Sequence, residues 1–157
     1  MLGVTLYDLV KSFHILTAIT WVGGAIALQI LAIRIVRGND PQKLRAFAGD
    51  AEWIGTRVFT PASALVLLLG IWMVILEPVW TFGQFWILAA LAMFGYSFLS
   101  GALYLGPKTA RLKKLFEEEG TGSPAALALV RKLFVFSRIE LVFLILIVFD
   151  MVIKPGL

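Results

Sequence analysis

Three long stretches of this chain carry no charged residue, and nothing else in the sequence restricts its fold as strongly. They run from Ser12 to Ile33, from Val58 to Leu76 and from Pro78 to Pro107. A helix needs about 20 apolar residues to cross a hydrocarbon core about 30 Å thick. Backbone groups find no water there, so such a segment must bond within itself as a helix. A fourth stretch, Leu133 to Ile153, is dominated by Phe, Leu, Ile and Val but includes Arg138, Glu140 and Asp150. Those charges lie toward its two ends and leave Leu141 to Phe149 free, so it also reads as a span. The sequence therefore predicts an all-α polytopic membrane protein, a single four-transmembrane-helix bundle over 1–157. The expected spans are about 9–34, 58–77, 84–106 and 133–153.

Composition agrees. The chain is 60% hydrophobic and 15% charged, against about 45–50% apolar in soluble domains, and 157 residues leave no room for a separate soluble catalytic domain. Cysteine is absent, which excludes disulfides, thiolate metal sites and cysteine nucleophiles. The net charge of +4 comes with no aromatic-plus-basic motif, so nucleic acid is not an expected partner. The lipid bilayer is. The first apolar run lacks a basic segment before it and a small-residue cleavage site after it, and reads as a mature span.

Basic residues set the expected orientation. Arg34, Arg37, Lys43, Arg45 and Arg57 accompany the first long loop, and Lys108, Arg111, Lys113, Lys114, Arg131, Lys132 and Arg138 the second. Only Lys11 and Lys154 lie on the other side, so the positive-inside rule places both long loops in the cytoplasm and both termini outside. The implied location is the cytoplasmic (inner) membrane of a prokaryote.

Asn39-Asp40-Pro41 reads as a helix start, with Asp40 capping and Pro41 at the first helical position. Leu44, Phe47, Ala48, Ala51 and Ile54 follow at helical spacing, which predicts a short amphipathic helix on the cytoplasmic interface between spans one and two. Thr60-Pro61 should cap or kink the start of span two. Glu117-Glu118-Glu119-Gly120 closes a charged extension of span three, and Gly120 to Pro124 reads as a turn. Trp80, Phe82, Phe85 and Trp86 form an expected interfacial belt. Small-residue pairs such as Gly23 and Ala27, or Ser97 and Gly101, suit close helix contacts within a bundle or between protomers, so a homo-oligomer stays open.

His14 is the only histidine and lies inside span one. An ionisable residue there is a functional candidate by default. It shares one stripe with Ala18, Trp21 and Ala25. It lies about 4–5 Å below Lys11 along the helix axis, a depth that suits a haem iron or a quinone head group. Asp150, about one turn before Lys154, falls at a similar depth and could orient the imidazole; Glu77 is the rival partner. Met73, one turn inside Glu77, makes a His–Met axial pair geometrically conceivable. Against this stands a purely structural histidine bonded to a neighbouring carboxylate or carbonyl. At the cytoplasmic end Arg57, Arg138 and Glu140 share a height, and an Arg–Glu ion pair joining spans two and four is the plainer reading. An anionic site for lipid head groups or porphyrin propionates is the alternative. No metal cluster spacing, phosphate loop or nucleophile elbow is present, so no catalytic residue is assigned.

The segments Lys11-Ser-Phe-His14-Ile-Leu-Thr-Ala-Ile-Thr-Trp21-Val-Gly-Gly24, Arg57-Val-Phe-Thr-Pro61, Gly70-Ile-Trp72, Phe82-Gly-Gln-Phe-Trp86 and Val152-Ile-Lys154-Pro155-Gly156 resemble a bacterial family of integral membrane proteins without assigned function. More distantly the pattern is similar to the HemJ-type protoporphyrinogen oxidases, four-helix membrane proteins carrying haem b, and to the copper-resistance D domain. The resemblance implies haem b held by His14 as the iron ligand, with Trp21 beside it and Arg57 and Pro61 at the start of helix two. The third-helix lysine of the HemJ type is replaced here near Trp86, and its third-helix histidine is missing, with Ser97 the nearest polar residue. What the resemblance implies is thus a haem b or porphyrin binding protein, in electron transfer or haem handling with a quinone or other redox partner. The cofactor-binding set is His14, Trp21, Met73, Arg57 and Asp150, with His14 as the metal ligand. A non-catalytic membrane module or small-molecule or metal carrier is the second expectation, and a diverged protoporphyrinogen oxidase, an oxidoreductase, the third.

Overall fold

The structure is a computed structural model that describes residues 4–157. It contains four long helices and, among the described residues, no strand. Helix α1 spans Leu6–Gly38, α2 Pro41–Leu76 and α3 Phe85–Glu118, and all three are long and apolar enough to cross a membrane. Helix α4 spans Pro124–Ile153, and its apolar half carries Arg138, Glu140 and Asp150.

The helix starts follow local chemistry. Thr5 Oγ accepts from the Asp8 N–H at 3.2 Å while the Asp8 carboxylate accepts from the Thr5 N–H at 3.0 Å, a reciprocal cap that satisfies donors the first turn leaves free. Asp40 caps α2 as the sequence predicts, accepting from the N–H groups of Gln42 at 2.9 Å and Lys43 at 3.2 Å, with Pro41 just inside. The Lys43 N–H in particular holds the Asp40 carboxyl below its ordinary range. Ser123 caps α4 through the Ala126 N–H, ahead of Pro124.

One expectation is corrected. The segment Pro41–Ile54 is no separate helix, because it runs unbroken into the second span through a π-helical turn at Gly55–Phe59. Its apolar side is covered by protein: Leu44 and Ala48 pack with Leu112, Phe116, Ala126 and Leu129. Pro61 neither caps nor ends the helix, and the reason is steric. A proline ring clashes with the carbonyl four residues back in an α-helix. A turn widened to five residues relieves that clash, and the Thr60 N–H and hydroxyl instead reach the Gly55 carbonyl. The third span repeats the device. Gly101–Leu105 is π-helical, the Gly106 N–H bonds the Gly101 carbonyl, and Pro107 follows. A side chain at Gly106 would come within 3.3 Å of that carbonyl. In both helices a glycine opens the wide turn and a proline stands six residues later. A third π turn, Ile19–Gly23, lies in α1 without a proline.

Helix α1 packs chiefly on α2, and α4 on α3. The α3–α4 pair is antiparallel and in fixed register. Tyr96 meets Phe143 with centroids 4.4 Å apart, Ser100 meets Glu140, and Tyr104 meets Phe136 at 4.3 Å. Each step is four residues along α3 and three or four back along α4, which is how facing helical stripes mesh. The central core is Trp21, Ala62, Phe94 and Leu144. Large apolar side chains such as Phe13, Ile30, Leu68 and Leu103 point outward on α1, α2 and α3, as lipid contact requires.

Candidate functional site

Most of the polar residues buried in the apolar bundle lie on its inner half, toward the basic loops; Asp150 is the exception. Gln29 of α1, Ser63 of α2, Ser97 of α3, and Ser137 and Glu140 of α4 line one cavity of about 490 Å³, and Ser100 of α3 contacts Glu140. Its walls are mostly aliphatic and small, such as Leu28, Ala25 and Ala102, with aromatic side chains at Trp21, Phe59, Phe98 and Phe134. All three π turns reach it, through Trp21, through Gly55, Thr56 and Phe59, and through Gly101, Ala102 and Leu105. Wide turns of this kind collect at functional sites because they displace side chains from regular helical positions. Two of them touch: a Cβ on Gly24, immediately after the first, would come within 2.7 Å of the Phe59 ring in the second.

Proton counting defines the polar end. The Ser100 hydroxyl lies against the Glu140 carboxylate and also 3.0 Å from the Ser97 carbonyl. A hydroxyl has one proton. If Ser100 donates it to the carbonyl, which can only accept, then Glu140 must itself be protonated and donate to Ser100. If Glu140 is ionised, Ser100 turns to it and releases the carbonyl. The same pattern stands opposite. The Ser137 hydroxyl lies 3.0 Å from the Gln29 amide and 3.1 Å from the Phe134 carbonyl. As placed, Ser137 donates to Gln29 Oε1 and the Gln29 NH₂ has no partner among the described residues; with the amide rotated, one of its two N–H groups meets Ser137, which then donates to the Phe134 carbonyl. Each arrangement leaves acceptor oxygens for the cavity. Ser97 Oγ, beside Glu140 and almost fully buried, has no hydrogen-bond partner.

No lysine, arginine or histidine lines the cavity among the described residues. The expected Arg–Glu ion pair joining spans two and four, Arg57 with Glu140, does not form among the described residues, and Arg138 does not pair with Glu140 either. Arg138 and Glu140 are two positions apart and therefore face different sides of α4, and the Arg138 guanidinium stacks on Phe134 at 4.2 Å. Arg57 is exposed. The ion pairs among the described residues are Lys43–Asp40 and Lys113–Glu52.

The five residues expected to hold a cofactor are not brought together. His14 is wedged between α1 and α2. A Cβ on Gly70 would stand 3.2 Å from His14 Cε1, and the Val66 carbonyl lies alongside. Its Nδ1 is buried without a hydrogen-bond partner. Met73 shares the Val66–Gly70 stripe of α2, one turn further out. Asp150 is buried on α4, which packs against α3, and its Oδ2 has no partner, so it does not orient His14. Glu77 closes α2 and forms no ion pair among the described residues. Trp21 alone of the set lines the cavity, edge-on to Phe94 at 5.6 Å. A porphyrin plane needs a slot beside its ligand and cations for its propionates. The helix contact at Gly70 closes the first and Arg57 does not supply the second, so the set does not fit haem as packed here. No group of three His, Asp or Glu able to hold a metal occurs among the described residues.

These features belong to a whole-chain pattern. The family described as predicted integral membrane protein (DUF2269) matches residues 8–155. The chain belongs to that family. The match covers all three π turns, both Gly-to-Pro spacings and every residue of the cavity. No curated protein and no solved structure matches the chain.

The sequence reading passed over Gln29, Ser100 and Ser137. Their signal was available: isolated hydrogen-bonding side chains inside apolar spans, which lipid does not tolerate on the outer face.

Proposed function

We propose that this chain is a membrane binding module or carrier for an amphipathic small molecule, held in the inner cavity with its polar end at Glu140. The observation that carries the reading is a largely apolar cavity of about 490 Å³ that includes several aromatic side chains, with a buried carboxylate and the Ser97 hydroxyl, unpartnered among the described residues, at one place. Ligand sites have this character, mostly apolar with a few convergent polar groups. In this reading α4 is the fourth span. Glu140 and Asp150 turn inward and Arg138 lies over Phe134, so none of the three charges faces lipid unassisted. The twelve basic residues around the two long loops support a reading in which the cavity end lies toward the cytoplasmic face of a prokaryotic inner membrane and both termini lie outside.

Native mass spectrometry of the detergent-purified chain with added decylubiquinone, a neutral amphiphile, tests the reading. One molecule should be retained per chain and lost in Ala25→Phe, which fills the cavity. Equal retention by both proteins, or none by either, overturns it.

Haem b ligation by His14 is the second reading, supported by the unpartnered, buried Nδ1 of the only histidine. It requires α1 and α2 to part at Gly70. A reduced b-type visible spectrum in protein from haem-supplied cells, lost in His14→Ala, would establish it. Met73 would then be the next ligand to test, and quinone, a redox partner and porphyrinogen oxidation the next chemistry. A colourless folded protein removes all of them.

A further inference from the structure

The cavity's charge pattern narrows what it holds. It carries two carboxylates, Glu52 and Glu140, and no cationic side chain among the described residues. Glu52 is already paired with Lys113 at 3.6 Å. Glu140 has only serine partners, Ser100 in contact and Ser97 beside it. The nearest cation on its own helix, Arg138, is engaged with Phe134, and α1 presents only the neutral Gln29. An ionised carboxylate in such surroundings lacks a counter-charge and is costly. A protonated one completes the Glu140–Ser100–Ser97 carbonyl chain and leaves only the Ser97 hydroxyl without a partner. Around it stand aromatic faces that attract cations.

We infer that the ligand is a lipophilic organic cation, and that it enters in exchange for the proton of Glu140. The inference rests on the cavity being a binding site, as proposed above. The step balances simply: the neutral carboxylic acid and the cation give a carboxylate–cation pair in the cavity and one proton released to solvent. Ser100 rotates its hydroxyl from the Ser97 carbonyl to the carboxylate, so the bare anion keeps a donor. Trp21, Phe59 and Phe98 supply aromatic surface for the cation.

Calorimetric titration of the purified chain with tetraphenylphosphonium, in two buffers of different protonation enthalpy, tests this. About one proton should be released per cation bound, and apparent affinity should rise about tenfold per pH unit while Glu140 keeps its proton. Tetraphenylborate, of the same shape and opposite charge, should not bind. Glu140→Gln should abolish proton release and the pH dependence and weaken cation binding at least about tenfold, with an unchanged circular dichroism spectrum and melting temperature showing that the variant is folded. Cation binding without proton release, or unchanged in Glu140→Gln, overturns the inference. If decylubiquinone binds the cavity and tetraphenylphosphonium does not, the inference falls and the binding-site reading stands. If neither binds, both fall.

Discussion

The chain has two cores built on opposite plans. On the basic side the extensions of α2, α3 and α4 meet around Ala48, Leu112, Phe116 and Ala126, with apolar residues in and charges out. Within the spans the pattern inverts: Phe13, Ile30, Leu68 and Leu103 face outward while Gln29, Ser97, Ser100 and Glu140 are inside. Water drives the first assembly through the hydrophobic effect. Lipid removes that drive, and the second relies on close packing and internal hydrogen bonds. The difference teaches where function can reside. A small water-facing core must be filled with apolar side chains, whereas a membrane bundle can keep polar groups inside and leave space beside them.

The comparison can be broken most sharply at Phe116, which is 2% exposed. Phe116→Ala should cost about 3–5 kcal/mol. Hydrogen exchange should rise in 41–54 and 106–130 while the spans stay protected; loss of protection throughout would show one core, not two. Gly24→Ala should cost less, about 1–3 kcal/mol for overpacking, because its methyl group would come within 2.7 Å of Phe59. That loss should appear as a lower melting temperature of the detergent-solubilised bundle, and Phe59→Leu in the same chain should recover part of it. Gly70→Ala meets His14 at a gentler 3.2 Å, so its effect should be under about 1 kcal/mol. A larger loss, or any gain of haem, would show that the α1–α2 contact is not as tight as described. The smallest effect belongs to Asp40. Its folded carboxyl titrates below the ordinary value, so its contribution is present above the unfolded value and disappears as pH falls through the lower, folded one. Exchange at the start of α2 should therefore quicken below about pH 4 in the natural chain and not in Asp40→Ala.

Much of the fold was legible because it rests on local or one-dimensional signals. Uncharged length located three spans, and Asp40-Pro41 fixed a helix start; Ser123-Pro124, read as the end of a turn, starts α4 well before the expected span. The continuity of α2 was not legible from Thr60-Pro61 alone, because a proline ends or bends a helix according to whether the preceding turn can widen. Gly55 before Pro61 and Gly101 before Pro107 carry that information as a pair, and neither does singly. The candidate site was less legible still. His14 stood out as the sole histidine, yet rarity says nothing about what faces it, and what faces it is Gly70. Glu140 was visible as a charge near a span end. Its separation from Arg138 followed from helical geometry, but its meeting with Ser100 depended on the α3–α4 register, which no single segment encodes.

An experimental structure of the chain purified from its own membrane, at a resolution that shows bound small molecules, tests the central claim most directly. The account predicts density in the inner cavity reaching Glu140 and Ser97, and an imidazole of His14 packed on Gly70. Density for a planar group on His14, with the inner cavity collapsed or closed by its own side chains, would contradict it.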